Sequence, residues 1–232
     1  MIWVQGRILK EIPVGRLLNS TVVLLLRSLP RQAEQIMSKG ELTRAAILEA
    51  GSEVAAKEGL ESLSIGPLAE RVGLSKSGLY AHFRSKEGLQ LAVLEHARGD
   101  FVTHVLVPSL KAARGEPRLC AIMEHWLAWS ASRNSAGGCV FVPAAAAYDD
   151  RPGAVRDLLV QIQQDWLDDL RFTVTKAQAE GHFRSDLDPQ QFTHDMYGLI
   201  LSHHFYTRLL GDPCAPELTR AAFARLLEGA RC

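Results

Sequence analysis

The sequence predicts an all-α protein, and two observations support that prediction. Beyond residue 40, apolar residues recur at the three-to-four-residue spacing of amphipathic helices, and strand-like alternation is scarce. Serine or Asp-Pro precedes several of these segments and glycine follows them, as at helix starts and ends. The 232 residues, 47% hydrophobic and 22% charged, suffice for one large domain or two small ones.

Residues 1–36 are expected to be an extension outside the folded domains. Their apolar run TVVLLL (21–26) is far shorter than the roughly 20 residues of a membrane span, so no membrane partner is expected. Met37 opens a short polar arm that leads into a helix. We expect translation to start at Met37, with residues 1–36 a misassigned or disordered extension; a genuine flexible arm is the alternative. Mass spectrometry of the native N-terminus separates the two.

Residues 37–85 are predicted to form a three-helix domain. Ile47, Ala50 and Val54 line one face of its first helix, and Gly59 follows the end of that helix. A second helix is expected after Ser64, a candidate N-cap. Its apolar residues repeat at helical spacing, with Pro67 in the first turn: Ile65, Leu68, Ala69 and Val72.

The run GLSKSGLYAHF (73–83) predicts a third, short helix that Gly73 separates from the second and Ser75 caps. Leu79 and Phe83 are predicted to face inward. The remaining positions are small or polar and face outward: Lys76, Ser77, Gly78, Tyr80, Ala81 and His82. Two helices joined by a tight glycine turn form a helix-turn-helix, whose second helix fits the major groove of double-stranded DNA.

The outward residues divide into two predicted roles. Lys76, Ser77 and Gly78 are the candidates for base readout, because small side chains let the helix approach the base edges closely. The candidates for positioning on phosphates are Ser75, Tyr80, His82 and Lys86. Residues 71–86 hold basic groups and no acidic one, although 26 basic residues balance 26 acidic ones in the whole chain.

Residues 86–232 are predicted to form a second, helical domain. Ser85 is a candidate cap for its first helix, and a stripe through residues 119–130 precedes Gly137-Gly138. CVFVPAAAAYDD (139–150) suggests a short helix and a turn. Further helices are expected from residue 155 to near Gly181, from Asp188-Pro189 onward, and from about Pro216 to Gly229.

Aromatic residues in this second domain are candidates for the wall of a small-molecule cavity: Trp126, Trp129, Phe141, Trp166, Tyr197 and Phe205. Core packing is the favoured reading for each of them singly. His125 could bond a ligand, but a hydrogen-bonded structural role is the favoured reading for it. The last two helices carry more apolar residues than one core would use, which predicts self-association through them: Leu199, Phe205, Leu209, Leu210, Phe223 and Leu227.

Neither a metal nor a cofactor is expected. The four cysteines form no C-x-x-C pair, and the adjacent His203 and His204 point in different directions on a helix, so sharing an ion with His194 is improbable. Cys139 could sense electrophiles, but a buried inert thiol is the favoured reading. Without a disulfide framework, a reducing cytoplasmic setting is the simplest expectation. An acidic set is expected to be a solvated face: Asp165, Asp168 and Asp169.

The N-terminal pattern resembles that of the tetracycline-repressor (TetR) family of bacterial regulators. The resemblance begins at RAAILEAGSEVAAKEG (44–59) and continues through GLESLSIGPLAERVGLSKSGLYAHFRSKEGLQLAVLE (59–95). The matching positions are Gly59, Ser64, Ala69, Gly73, Ser75, Leu79, Tyr80, His82, Phe83, Ser85, Lys86 and Leu89. The chain departs from the usual pattern at Ser77, Gly78 and Gly66-Pro67, which affects the base contacts rather than the docking mode.

The resemblance implies a homodimer whose two recognition helices enter successive major grooves of a near-palindromic operator. It also implies a small-molecule effector that binds the C-terminal domain and releases the DNA, which makes a repressor the expected function. A helical enzyme with a vestigial helix-turn-helix is the alternative, but the sequence offers no nucleophile–base pair, phosphate loop or metal spacing for catalysis. A constitutive nucleoid-binding protein would favour a more basic surface.

Overall fold

The computed structural model describes residues 2–4, 7–9, 39–133 and 138–232, and these residues confirm the predicted all-α class apart from one short hairpin. The helices are α1 (Lys39–Glu58), α2 (Ile65–Arg71), α3 (Lys76–Phe83), α4 (Lys86–Phe101), α5 (Val107–Ser109), α6 (Glu116–Arg133), α7 (Phe141–Tyr148), α8 (Ala154–Ala179), α9 (Pro189–Arg208) and α10 (Ala215–Ala230). A 3₁₀ turn (Leu60–Ser62) follows α1, and a π-helical segment (Val102–Leu106) follows α4.

Two short strands lie before the helices. Strand β1 (Ile2–Val4) pairs antiparallel with β2 (Arg7–Leu9), in a backbone register that pairs Trp3 with Ile8. Most of residues 1–36 lie outside the described part of the chain, and the expected start at Met37 therefore stays a prediction. Among the described residues, no helix is both long and apolar enough to cross a membrane.

The described helices fall into two compact units. The first contains residues 39–102 and 138–162, together with the hairpin, and the second contains residues 103–131 and 163–232. Residues 86–102 and α7 thus pack with the helix-turn-helix. The predicted division into separate domains between residues 85 and 86 stays a prediction.

Turn residues confirm most of the predicted helix ends in the first unit. Gly59 and Gly73 adopt φ of 91° and 69°, a region that favours glycine because it has no Cβ. The side chains of Ser75 and Ser85 accept hydrogen bonds from the N–H groups of Gly78 (3.1 Å) and Gly88 (2.9 Å).

Ser64 precedes α2 as predicted, but its side chain makes no capping hydrogen bond. An N-cap oxygen bonds the N–H of the second or third helical residue. The third residue of α2 is Pro67, which has no N–H to donate. The prediction of a serine cap at this helix was therefore right about the position and wrong about the side-chain contact.

The core of the first unit lies beneath α3. It is formed by side chains that are nearly or fully buried: Ile47, Leu60, Leu63, Leu68, Leu79, Phe83, Leu89 and Val93. A buried glutamine is included. Gln90 Nε2 donates to the carbonyl oxygen of Leu60 (2.9 Å) and to the hydroxyl of Tyr148 (3.0 Å), which ties α4 to the 3₁₀ turn and to α7.

The core of the second unit contains the predicted stripe of α6, all of it buried: Leu119, Ile122, Met123, Trp126, Leu127 and Ser130. Asp188 caps α9 by accepting from the N–H of Gln190 (2.8 Å), with Pro189 as the first helical residue. The π-helical segment lies just before Pro108. Proline cannot donate to the carbonyl four residues earlier, which explains the departure from α geometry there.

Two predictions about the second unit were wrong. Asp165 and Asp169 are buried, at 6% and 1% exposure, and only Asp168 is solvated, where it pairs with Arg171. The two buried carboxylates share the α8 stripe of Trp166 and Leu170, so tertiary packing overrides their polarity. Phe223 and Leu227 are also buried, within a single chain, and are therefore core residues rather than surface available for self-association.

Candidate nucleic-acid interface

The short helix α3 presents a polar outer face on an apolar base. Leu79 and Phe83 are buried beneath it as predicted, whereas Tyr80 is 55% exposed. The other outward positions are exposed too, apart from the half-buried Gly78: Lys76, Ser77, Ala81 and His82. The structure therefore brings Ser75 through His82 together on one accessible surface of the first unit.

The start of α3 is held by local hydrogen bonds. The Ser75 oxygen accepts from the N–H of Gly78 and lies 3.2 Å from the Ser77 oxygen. The cap consumes the amide of Gly78, so Gly78 can contribute to base readout only through its small size. Both serine hydroxyls remain at the surface, where a hydroxyl can donate to a phosphate or a base edge.

Lys86 is exposed in the first turn of α4, next to the end of α3. Its ammonium group donates to the carbonyl oxygen of Glu61 in the 3₁₀ turn. A lysine ammonium has three donors, so two remain for a phosphate oxygen. The predicted roles of all seven DNA-facing residues stay predictions.

The aromatic candidates for a ligand wall separate between the two units. Trp126, Trp129 and Trp166 are buried in the second unit, whereas Phe141 is buried in the first. Phe205 is 50% exposed on α9, which places it at the surface and not in an enclosed wall. Ligand contact by Trp126, Trp129, Phe141, Trp166 and Tyr197 stays a prediction.

Tyr197 lines an open groove of about 440 Å³ between α8 and α9, with Gln164, Arg171, Gln190 and Leu201. Its hydroxyl donates to Gln163 Oε1 (2.9 Å). A second groove of about 250 Å³ lies between α9 and α10 and is lined by Tyr206, Leu218 and Arg225 among others. Both grooves lie on the surface of the second unit.

His203 is a buried structural residue at the base of the α9–α10 groove. Its Nδ1 lies 3.1 Å from the Thr219 hydroxyl, and its ring packs edge-on against Trp126 at 5.1 Å. Burial lowers the pKa of His203 below its ordinary value of 6.5, and the positive charge of Arg220 lowers it further. Neutral histidine is therefore the form that suits this position.

Other polar candidates also have structural surroundings. His125 Nδ1 lies 2.6 Å from the carbonyl oxygen of Ala121 and 3.1 Å from the Ser109 hydroxyl. Burial raises the pKa of the Cys139 thiol, which disfavours the reactive thiolate. Among the described side chains, no three histidine, cysteine or carboxylate groups lie close enough together to hold a metal ion.

Large apolar side chains are exposed along α9 and the start of α10. Leu209 and Leu210, directly after α9, are 71% and 56% exposed. The sequence predicted these two and Phe205 as surface for self-association, but it missed three others in the same region: Leu201, Tyr206 and Leu218. Their helical spacing offered a signal, which the similar periodicity of the buried face obscured.

Two family models match the chain. The model of bacterial regulatory proteins of the tetR family matches residues 47–93, which include all of α2 and α3. The model of the tetracyclin repressor-like C-terminal domain matches residues 115–223. A sequence search of curated proteins found no match.

Solved structures share this fold. A TetR transcriptional regulator from Chloroflexus aurantiacus J-10-FL superposes with a TM-score of 0.73 at 21% identity, covering 83% of this chain and 96% of that one. A TetR-family regulator from Cytophaga hutchinsonii gives 0.70 at 23% identity, with 85% and 98% covered. AibR, solved in complex with isovaleryl coenzyme A and operator DNA, gives 0.63 at 22% identity, with 79% and 96% covered.

Proposed function

Because the chain belongs to the TetR family of bacterial regulatory proteins, we propose that it is a homodimeric repressor that a small-molecule effector releases from a near-palindromic operator. The main observation in support is the outer face of α3. Small and polar side chains stand exposed there above the buried Leu79 and Phe83. Such a helix can enter a major groove without placing large apolar side chains against the polar, hydrated base edges.

DNA binding at this face combines close approach with phosphate contacts. Lys76, Ser77 and Gly78 are proposed to meet base edges, since they lie at the start of the helix. Tyr80, His82 and Lys86 lie further along or in the next helix and are proposed to contact phosphates together with Ser75. Two such helices in one dimer would read half-sites about one helical turn, 10–10.5 base pairs, apart.

The dimer is proposed to form through α9 and α10. Exposed leucine, phenylalanine and tyrosine side chains follow one another along this pair of helices. A second copy that covers them would remove their apolar area from water, at about 25 cal/mol per Å² buried. A pair of identical surfaces related by a two-fold axis meets this need with a self-complementary interface.

The effector is proposed to bind in the helical second unit. AibR, which shares the fold, was solved with both an acyl coenzyme A and operator DNA. That precedent supports effector control on this architecture and does not identify the effector of this chain. We propose binding rather than catalysis as the activity, in the cytoplasm where bacterial DNA resides.

The proposal is tested by selecting duplexes from a random-sequence library with the full-length protein. Enrichment of an inverted repeat, followed by nanomolar binding of the selected duplex at about 150 mM salt, is the expected result. A dimer that enriches no sequence and binds every duplex equally would support the nucleoid-binding alternative. A library of bacterial metabolites, screened for thermal stabilisation and then for release of the selected duplex, would identify the effector class.

A further inference from the structure

Arg44 of α1 contacts the last turn of α3 in two ways. Its Nη1 donates to the carbonyl oxygen of His82 at 3.3 Å. Its guanidinium carbon also lies over the Phe83 ring, 4.6 Å from the centroid, which is a favourable cation–π distance. The half-buried Arg44 side chain thus holds both a backbone group and a ring of the proposed recognition helix.

These contacts supply a hydrogen-bond donor and a positive charge at the C-terminal end of α3. The last carbonyl groups of an α-helix have no partner within the helix. In α3, the Tyr80 oxygen accepts from the N–H of Arg84 (2.7 Å) and the Phe83 oxygen accepts from the N–H of Ser85 (2.8 Å). Arg44 supplies the donor for His82, and its positive charge suits the negative end of the helix dipole.

Tertiary contacts must set the direction of α3, because an isolated helix of eight residues is not stable in water. Its N-terminal end is fixed by the Ser75 cap, and its middle by the buried Leu79. Its last turn carries Tyr80 and His82, the proposed phosphate contacts. A small tilt of this turn would move both side chains relative to the DNA backbone.

We propose that Arg44 is a positioning residue for DNA recognition, which fixes the angle of α3 through the His82 carbonyl and the Phe83 ring. The inference rests on the proposed function of α3. Arg44 is proposed to act on DNA binding through these two contacts rather than through a phosphate contact of its own, and the salt dependence of binding separates the two roles. This distinguishes it from Lys86, whose predicted role is a direct phosphate contact.

Hydrogen exchange tests the clamp without DNA. In the full-length Arg44→Met variant, amides of residues 79–84 are expected to exchange several-fold faster than in the wild type, because the end of α3 frays. Arg44→Lys should be intermediate, since it keeps the charge and loses the planar guanidinium. Arg71→Gln is the matched control: Arg71 pairs with Glu53 at 3.0 Å on the exposed surface between α1 and α2.

DNA binding tests the consequence for recognition. With the selected duplex, Arg44→Met is expected to weaken binding about tenfold while leaving the slope of log K against log salt unchanged. Lys86→Ala provides the comparison, because loss of a direct phosphate contact lowers that slope by about one per protomer.

Three results would overturn the inference. One is a salt slope that falls in Arg44→Met as it does in Lys86→Ala, which would make Arg44 a phosphate contact. The second is exchange at residues 79–84 that matches the wild type in both Arg44 variants. The third is wild-type affinity in Arg44→Met. If the wild-type protein selects no duplex at all, the proposed function fails, and the exchange experiment still decides whether Arg44 clamps α3.

Discussion

The proposed recognition helix α3 and the helix pair α9–α10 are both exposed, but they expose opposite chemistry. Helix α3 has eight residues, and its outer face is small or polar around a single large ring, Tyr80. Helices α9 and α10 have 20 and 16 residues and expose large apolar side chains such as Leu201, Phe205 and Leu218. The difference indicates two kinds of partner for two surfaces of one chain.

Surface chemistry decides which partner each helix can accept. A DNA groove is wet and charged, so a helix that enters it gains from hydrogen bonds and close approach rather than from apolar area. A dimer interface gains mainly by removing apolar area from water and tolerates few unpaired polar groups. A substitution that alters the chemistry of α3 should therefore impair DNA binding, whereas one that alters the α9–α10 surface should impair dimerisation.

The largest effect is expected from a charge placed on the apolar surface. Phe205→Glu puts a carboxylate where a second copy would cover the side chain, and the dimer should dissociate because a buried unpaired charge is very costly. We expect monomers in light scattering and a loss of operator affinity of about a hundredfold or more, since each monomer reads only one half-site. Leu42→Glu, at an exposed leucine of α1, is the control and should remain dimeric. A dimeric Phe205→Glu protein would place the interface elsewhere.

Removing a cation beside α3 should weaken DNA binding without affecting the dimer. Lys86→Ala is expected to reduce affinity for every duplex sequence by about tenfold and to lower the salt slope by about one per protomer. Lys57→Ala, at an exposed lysine in the last turn of α1, should leave both quantities unchanged. Fluorescence anisotropy over a salt series measures them. A changed base preference with an unchanged slope would assign Lys86 to readout instead of positioning.

A smaller effect separates the two serines that precede α2 and α3. Ser75→Ala removes a side-chain cap on Gly78 and should cost about 1 kcal/mol of unfolding free energy. Ser64→Ala removes no such bond and should change stability by less than about 0.5 kcal/mol. Urea unfolding of the two variants gives the comparison. Equal losses of unfolding free energy in the two variants would show that the hydrogen bond from Gly78 to Ser75 adds no stability.

The smallest effect is a pH dependence in the second unit. Burial lowers the pKa of His203 in the folded chain, so the unfolded chain binds the proton more readily. Stability that depends on neutral His203 is therefore complete above the ordinary value of 6.5 and declines as pH falls below it. His203→Gln should flatten the decline in unfolding midpoint between about pH 6.5 and 5. His194→Gln, on the exposed surface of α9, should keep the wild-type slope, and parallel curves for all three proteins would exclude this role for His203.

Local chemistry made α3 predictable from sequence, whereas the α9–α10 surface was only partly predictable. Gly73, Ser75 and the Leu79–Phe83 spacing determine where α3 begins and which side it buries, and the structure agrees on each point. On α10, Phe223 and Leu227 share an apolar pattern with exposed positions, and only the packing of neighbouring helices separates core from surface.

Polar residues with a structural role were the hardest to identify from the sequence. Asp165 and Asp169 look solvated because they are acidic, although their spacing of four places them on the same buried stripe of α8. Arg44 and Gln90 make their contacts with residues 38 and 30 positions away, and no periodic pattern reports such distances. Judged by residue type alone, these side chains look like solvated surface groups. Only their three-dimensional contacts show that they stabilise the fold.

Methylation interference on the selected duplex tests the central claim most directly, since it reports guanine N7 in the major groove and adenine N3 in the minor groove. We expect two interfering clusters related by inverted symmetry, with centres about 10 base pairs apart for a dimer that presents two α3 helices. The clusters should vanish together in the monomeric Phe205→Glu protein. Interference confined to one cluster in the dimer, or restricted to minor-groove positions, would contradict the assignment of α3 as the helix that reads DNA.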